Sequence, residues 1–202
     1  MKIQTIGLYI CLVLLAPFSY AQDHFQEGVN YQVVAQPATK QPQIMEFFSY
    51  GCPHCFALEP IMLSLRKQVP ANVQFKRTHV AFVGGDSGPL LQRAYAISDV
   101  LGVEKKFTPI FFFHIMRLHH FIDSTQALRQ IFIDNGVSAS DFDGSVNSFF
   151  VNNMIAQMDA RTQAYHIRGV PTVVINGRYQ IVPSSIKSVQ QYINLVNFLL
   201  KK

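Results

Sequence analysis

Two cysteines separated by two residues, in Cys52-Pro53-His54-Cys55, are the side chains best suited to chemistry in this sequence. They follow an apolar run and stand at the predicted start of a helix. Cysteines at positions i and i+3 of a first helical turn are close enough to form a disulfide. The first sulfur can also face unpaired backbone N–H groups and the positive end of the helix dipole, which stabilise a thiolate. Because the thiolate carries out disulfide exchange, the pattern predicts redox chemistry at this pair.

The first 21 residues are typical of a secretion signal that is removed from the mature protein. Lys2 gives a positive start, an apolar stretch follows from about Ile6 to Leu15, and Ser19-Tyr20-Ala21 supplies small residues for cleavage. That stretch is shorter than the roughly 20 residues that span a bilayer. We expect cleavage after about Ala21 and export; an uncleaved N-terminal anchor is the alternative.

Cleavage would remove Cys11 and leave two of the three cysteines, Cys52 and Cys55. An exported chain with a single pair lacks a disulfide framework, so the pair is expected to be functional rather than structural. The remaining residues, 22–202, suit one domain with its own core. The net charge of +5 comes from scattered basic residues, which favours an ordinary solvated surface over a nucleic-acid interface.

The apolar pattern predicts an α/β architecture with a helical insertion. The run from Ile44 to Ser49 indicates a central strand covered on both faces, and the cysteine pair follows its carboxyl end, where open α/β sheets place their chemistry. The pair Asn176-Gly177 between two apolar runs predicts a hairpin. The other predicted elements are strands at 29–35 and 73–80, helices between 89 and 165, and an amphipathic C-terminal helix. Ser124 is expected to be the N-cap of one of the inserted helices.

Several segments together carry a resemblance to a known family. They are Glu46-Phe47-Phe48-Ser49 before the cysteine motif, His79-Val80, Arg168-Gly169-Val170-Pro171, and the hairpin from Val174 to Gln180. With these, the chain resembles the DsbA family of periplasmic thiol oxidases, which has the thioredoxin fold. The resemblance implies an α/β, thioredoxin-like domain over 22–202 with an inserted all-helical subdomain at about 86–165, located in the periplasm.

The resemblance also implies roles for the motif residues. The pair would cycle through a Cys52–Cys55 disulfide, with the Cys52 sulfur exposed and Cys55 buried. His54 would favour the Cys52 anion through its imidazole, and Pro53 completes the motif. An ordinary exposed loop histidine is the alternative for His54.

Two further site residues are implied further along the chain. Pro171 would be a cis-proline facing the disulfide, and Val170 would offer backbone groups to an extended substrate. An ordinary trans-proline at the start of a strand is the alternative for Pro171.

Acidic residues near the motif are the remaining candidates. Glu46 lies inside an apolar strand, where an unpaired charge is unfavourable, and Glu59 is a second nearby acid. Arg77, rather than Lys76, is the expected charge partner. By resemblance Glu46 lies beneath the disulfide and relays protons to Cys55; a purely structural buried ion pair explains these residues equally well.

The implied activity is that of a protein dithiol–disulfide oxidase which donates its disulfide to reduced or unfolded exported proteins. It would act as a monomer without cofactor or metal, and a DsbB-type quinone-linked membrane oxidase would recharge it. A reductase or isomerase on the same fold, a metal site, and a non-redox peptide-binding chaperone are the alternatives. One Cys-x-x-Cys supplies only two of the four ligands of a structural zinc.

Two segments depart from the family pattern. Tyr50-Gly51 stands where an aromatic pair is common, which predicts an altered rim of the site. The segment Phe111-Phe112-Phe113 is unusually apolar, and it forms either core of the helical block or an exposed patch for a partner.

Overall fold

The computed structural model of the protein describes residues 24–202, so the predicted signal segment lies outside the described residues. A single sheet has the strand order β1-β5-β4-β2-β3. Strand β2 pairs in parallel with β3, and the other neighbours are antiparallel. The strands are β1 (Tyr31–Val33), β2 (Gln43–Phe48), β3 (Gln74–His79), β4 (Thr172–Ile175) and β5 (Tyr179–Ile181).

The described residues contain seven α-helices. They are α1 (Pro53–Gln68), α2 (Gly88–Val100), α3 (Glu104–Met116), α4 (Thr125–Asp134), α5 (Ala139–Ser145), α6 (Phe149–Ala164) and α7 (Val189–Leu200). Helices α2 to α6 all lie between β3 and β4, which confirms the predicted helical insertion into an α/β plan. Among residues 24–202, no helix combines the length and apolar character needed to cross a bilayer.

Strand β2 is the centre of the fold, and all six of its residues are buried. Ile44 packs with Met62 and Leu65 of α1 and with residues of α7, whereas Met45 lies in a cluster on the opposite face. The continuous apolar run therefore covers both faces of one strand, as predicted. This burial fixes the carboxyl end of β2, from which the chain enters the cysteine motif.

The inserted helices have their own aromatic core. Ser124 begins α4 as predicted, since its hydroxyl accepts a hydrogen bond from the Ala127 N–H at 3.2 Å. Phe111 and Phe112 are buried, whereas Phe113 is 51% exposed. The apolar segment is therefore mainly core of the helical block, with one side chain left at the surface.

Candidate active site

The turn between β2 and α1 is held by short hydrogen bonds. The Tyr50 N–H donates to Nε2 of the buried His79 at 2.9 Å, and the Gly51 N–H donates to the Ser49 hydroxyl at 3.1 Å. The Cys52 N–H donates to the Ser49 carbonyl at 3.1 Å. These bonds place Cys52 at the N-cap of α1, with Pro53 in the first turn, where its missing N–H leaves no helical partner unsatisfied.

The Cys52 sulfur is surrounded by groups that stabilise its anion. The Cys55 N–H donates to it at 3.3 Å, and both cysteines are free thiols. The Cys55 thiol, the backbone N–H groups of Cys55 and His54, and the charge of His54 lower the pKa of Cys52 to about 6, against the opposing effect of burial. The thiolate is therefore the main form of Cys52 at neutral pH.

Cys55 has the opposite electrostatic environment. It is fully buried, and its thiol is the donor toward Cys52. That hydrogen bond and burial raise the pKa of Cys55 far above its ordinary range. One sulfur of the pair is therefore set up as the anion and the other as its protonated partner.

Cys52 is less accessible than the sequence predicted. We expected an exposed sulfur, but the residue is only 5% exposed. The segment before β4 covers it: the Cys52 sulfur lies 3.3 Å from the Val170 carbonyl, to which it donates in its protonated form. The Val170–Pro171 peptide bond is cis, as predicted, and places this carbonyl beside the sulfur.

His54 and Pro53 are both exposed, and His54 lines a shallow apolar cavity beside α1. The cavity has a volume of about 260 Å³. His54 and Pro171 both line it, so it begins at the cysteine motif and at the cis-proline. Its remaining lining residues are Ala57, Leu58, Ile61, Val173, Ile181, Pro183 and Tyr192.

Three of the predicted charged residues form one buried cluster. The Arg77 guanidinium lies 2.6 Å from the Glu59 carboxylate and 2.8 Å from that of Glu46, its register partner on β2. It also stacks over the Phe48 ring at 3.9 Å from the ring centre. Arg77 is therefore the charge partner, as expected, while Lys76 is exposed and pairs with no acid among the described residues.

Glu46 is only partly compensated by this cluster. Burial raises the pKa of its carboxyl group, against the lowering effect of Arg77. The approach of Arg77 to Glu46 is a charge pair rather than an aligned hydrogen bond, and Oε1 of Glu46 has no hydrogen-bond partner in residues 24–202. No described contact joins Glu46 to Cys55, although its charge contributes to the raised pKa of that thiol.

Sequence reasoning missed two members of this region. Glu104 at the start of α3 lies 3.3 Å from Arg77 and so adds a third acid to the cluster. The sequence signal that could have indicated Glu104 is an acidic residue at the start of the helix that follows Gly102. His79 was noted only as part of a motif, yet burial lowers its pKa to about 3, so it remains a neutral acceptor for the turn.

The position of Tyr50 also differs from the prediction, which placed this residue at the rim of the site. It is fully buried, stacks on Phe111 with ring centres 5.2 Å apart, and its hydroxyl lies 3.2 Å from that of Thr108. It therefore joins the redox turn to the helical insertion.

Residues 43–194 match the family model described as DSBA-like thioredoxin domain. The thiol:disulfide interchange protein DsbA of Pectobacterium carotovorum subsp. carotovorum is 36% identical over 94% of this chain and 95% of its own length. That of Escherichia coli strain K12 is 33% identical over the same shares of the two chains.

Solved structures agree with these matches and confirm the predicted thioredoxin-like fold. The crystal structure of the disulfide oxidoreductase DsbA from Proteus mirabilis has a TM-score of 0.81 and 34% identity, and the match covers 89% of this chain and 98% of that one. A cysteine-to-serine variant of that protein, in complex with a non-covalently bound peptide, PWATCDS, has a TM-score of 0.82 and 35% identity, with 89% and 100% covered.

Proposed function

The chain belongs to the DSBA-like thioredoxin family and is a thiol:disulfide oxidoreductase, and from this premise we propose that it donates a Cys52–Cys55 disulfide to newly exported proteins. The observation that carries the oxidising direction is the contrast between the two sulfurs. The Cys52 pKa is lowered to about 6 while that of Cys55 is raised. An environment that stabilises one thiolate stabilises the reduced pair, which makes the disulfide a stronger oxidant.

The proposed exchange takes two steps. A substrate thiolate attacks Sγ of Cys52, forms a substrate–Cys52 bond and breaks the bond to Cys55, whose sulfur leaves and takes up a proton. A second substrate thiolate then attacks the substrate sulfur of this mixed disulfide and releases the Cys52 thiolate. The substrate loses two electrons and forms its disulfide, and the pair gains two electrons.

Val170 and Pro171 are proposed to hold the substrate chain. The Val170 carbonyl beside the Cys52 sulfur is oriented to accept an N–H from an extended peptide placed next to the cysteine pair. The apolar cavity between His54 and Pro171 would receive a neighbouring apolar side chain. The bound peptide of the Proteus mirabilis protein supports this kind of ligand.

We propose that His54 and Glu46 act electrostatically. His54 favours the Cys52 anion through its charge and backbone N–H. Glu46, held by Arg77 with Glu59, is proposed to exchange the proton that Cys55 takes up and later gives back, because the partly compensated carboxyl group can bind it. A water would connect the two groups, since no direct contact between them is found in the described residues.

The cellular setting follows from the family. We propose that cleavage after about Ala21 releases a periplasmic monomer of one domain, 22–202, whose helical insertion at about 86–165 contains α2 to α6. The pair works without cofactor or metal, and a DsbB-type quinone-linked membrane oxidase recharges it.

Equilibration of the protein with defined ratios of reduced and oxidised glutathione tests the direction. We expect a reduction potential well above the value of about −270 mV found for thioredoxin. A value near thioredoxin's would assign the chain to the reductases instead. Formation of disulfides in a reduced, unfolded protein provides the second readout, with Cys52→Ser as the inactive control; no oxidation by the wild-type disulfide form would contradict the proposal.

A further inference from the structure

A second cavity is lined by residues of α1, β3, α2 and α6, and Arg77 is one of them. It has a volume of about 250 Å³ and is dominated by basic side chains. It is smaller than the cavities of about 300–1,000 Å³ that hold drug-sized ligands, so its size suits a small ion with a few waters. The lining residues are Arg66, Phe75, Lys76, Arg77, Tyr95, Asp99, Met154, Gln157 and Arg161.

Two of the four cations are already paired. Arg77 is engaged by the buried carboxylates, and Arg66 lies 3.4 Å from Glu104 while its guanidinium stacks over Phe75 at 4.5 Å. Lys76 and Arg161 have no acid within ion-pair distance in residues 24–202. The cavity therefore contains two cations without an ion-pair partner in the described structure, while Asp99, the acid among its lining residues, interacts electrostatically with Arg66.

Arg161 shows this lack of compensation most clearly. It is half-buried in the last turn of α6, and its Nε is buried with no hydrogen-bond partner among the described residues. Burial lowers its pKa, because its environment disfavours the unpaired charge. A buried N–H donor without an acceptor is unfavourable, and a ligand that supplies an acceptor would relieve it.

The neighbouring polar groups are also donors. The Tyr95 hydroxyl donates to no residue that the structure describes, and the Gln157 amide on α6 is free of side-chain hydrogen bonds there. Burial raises the pKa of Tyr95, so its hydroxyl keeps its proton and remains a donor. Residues with donor groups from β3, α2 and α6 thus line one small space.

We propose that this cavity binds a free oxyanion of the size of phosphate, held by Arg161 with Lys76, Tyr95 and Gln157. The planar guanidinium of Arg161 would bind two oxygens of the ion, and the lysine would add a point charge. The site is separate from the redox pair and does not depend on the direction of its reaction. Arg77 lies between the two, since it lines this cavity and pairs with Glu46 and Glu59.

Titration with inorganic phosphate, against sodium chloride at matched ionic strength, tests the proposal by backbone amide NMR of the full mature protein. We expect saturable shifts confined to the lining segments of β3, α2 and α6. The Arg161→Gln variant should weaken phosphate binding about tenfold, because it loses a bidentate charge-assisted contact. Arg178→Gln removes one exposed charge from the hairpin and should leave the affinity unchanged.

Shifts that rise linearly without saturation, or that the two variants reduce equally, would show only general charge screening and would overturn the site. Far-UV circular dichroism checks the fold of both variants. If Arg161→Gln does not fold, the wild-type titration still decides, because absent or dispersed shifts contradict the proposal by themselves. Arg161→Lys gives a second comparison: it should fold and recover only part of the affinity, since it keeps the charge and loses the planar fork.

Discussion

The Cys52 sulfur lies 3.3 Å from the carbonyl oxygen of Val170, and this contact depends on the proton of the thiol. A thiol can donate to the carbonyl, whereas a thiolate or a disulfide sulfur cannot. In the form that meets a substrate as a disulfide, the Val170 carbonyl is therefore released to accept an N–H from the incoming chain. The protonation state of Cys52 and the availability of the peptide-binding carbonyl are thus coupled through one hydrogen bond, and the low pKa of Cys52, about 6, keeps the carbonyl free in most of the reduced protein at neutral pH as well.

This coupling predicts which backbone group of a substrate matters most. In a Cys52→Ala variant, which has no side-chain proton to donate to Val170, a seven-residue cysteine peptide should lose about fivefold to tenfold in affinity when the amide that faces Val170 is N-methylated, because one hydrogen bond is lost. Isothermal titration calorimetry measures the difference. N-methylation of the next amide along is the control, since successive N–H groups of an extended chain point in opposite directions. Equal losses for both peptides would contradict binding by strand addition.

The pKa of Cys52 gives a second prediction. Alkylation of the reduced protein by iodoacetamide should be half-maximal near pH 6, because only the thiolate reacts and Cys55 stays protonated and buried. The His54→Ser variant should move this midpoint upward by less than about one pH unit, since the backbone N–H remains and only the imidazole charge is lost. The His24→Ser variant changes an exposed histidine outside the motif and serves as control. An unchanged midpoint in His54→Ser would remove the imidazole from the mechanism.

Sequence alone predicted most of the framework, because its signals were local. The buried run of β2, the Asn176-Gly177 hairpin and the Ser124 cap each depend on neighbouring residues, and each is confirmed. The partnership of Arg77 with Glu46 and Glu59 was also predicted, since buried acids require a cation.

Other features that depend on contacts between distant segments were not predicted. Cys52 appeared exposed because the chain that covers it, at Val170, is 118 positions away. The burial of Tyr50 depends on helix α3 of the insertion, and its position in the sequence next to the motif suggested a rim residue instead. Arg161 gave no signal, because its significance lies in the absence of a nearby acid in the described structure.

Substitution of Gly51 tests how tightly the turn between β2 and α1 packs. A Cβ at this position would lie 3.0 Å from the Cα of Gly84, a backbone atom that cannot turn aside. We expect Gly51→Ala to lower the free energy of unfolding by about 1–3 kcal/mol through overpacking. Gly144→Ala in α5 is the matched control, since nothing lies within 4 Å and the helix should gain up to about 1 kcal/mol. Urea denaturation measures both, and a neutral Gly51→Ala would disprove the tight approach.

A comparison of Arg77 with Arg129 distinguishes the contribution of a buried ion pair to stability from that of a surface ion pair. Replacing it with Met leaves Glu46 and Glu59 buried without their cation, so we expect a loss of about 3–5 kcal/mol in the free energy of unfolding at pH 7. Arg129 makes a two-bond contact with Asp143 at the surface, where water screens the charges, and Arg129→Met should leave the free energy of unfolding almost unchanged. Chemical denaturation compares the two. Similar losses would show that the buried cluster is well hydrated.

The raised pKa of Glu46 predicts the pH dependence of stability. A carboxyl group with a higher pKa in the folded than in the unfolded state stabilises the fold below the unfolded pKa, and this stability is lost as pH rises through the folded pKa. The Glu46→Gln variant has no carboxyl group to ionise at this position, so it does not lose stability in this way as the pH rises. The difference in unfolding free energy, variant minus wild type, should therefore be small near pH 4 and increase toward pH 7 in favour of the variant.

The other titrating groups contribute almost equally to the stability of variant and wild type, so their contributions largely cancel in this difference. The Glu27→Gln variant, at an exposed position, controls for the loss of one negative charge. A difference that decreases with pH would mean that Arg77 outweighs burial at Glu46. The carboxyl group would then be a firmly ionised member of a structural ion pair, and the proposed exchange of a proton with Cys55 would have to be assigned to another group.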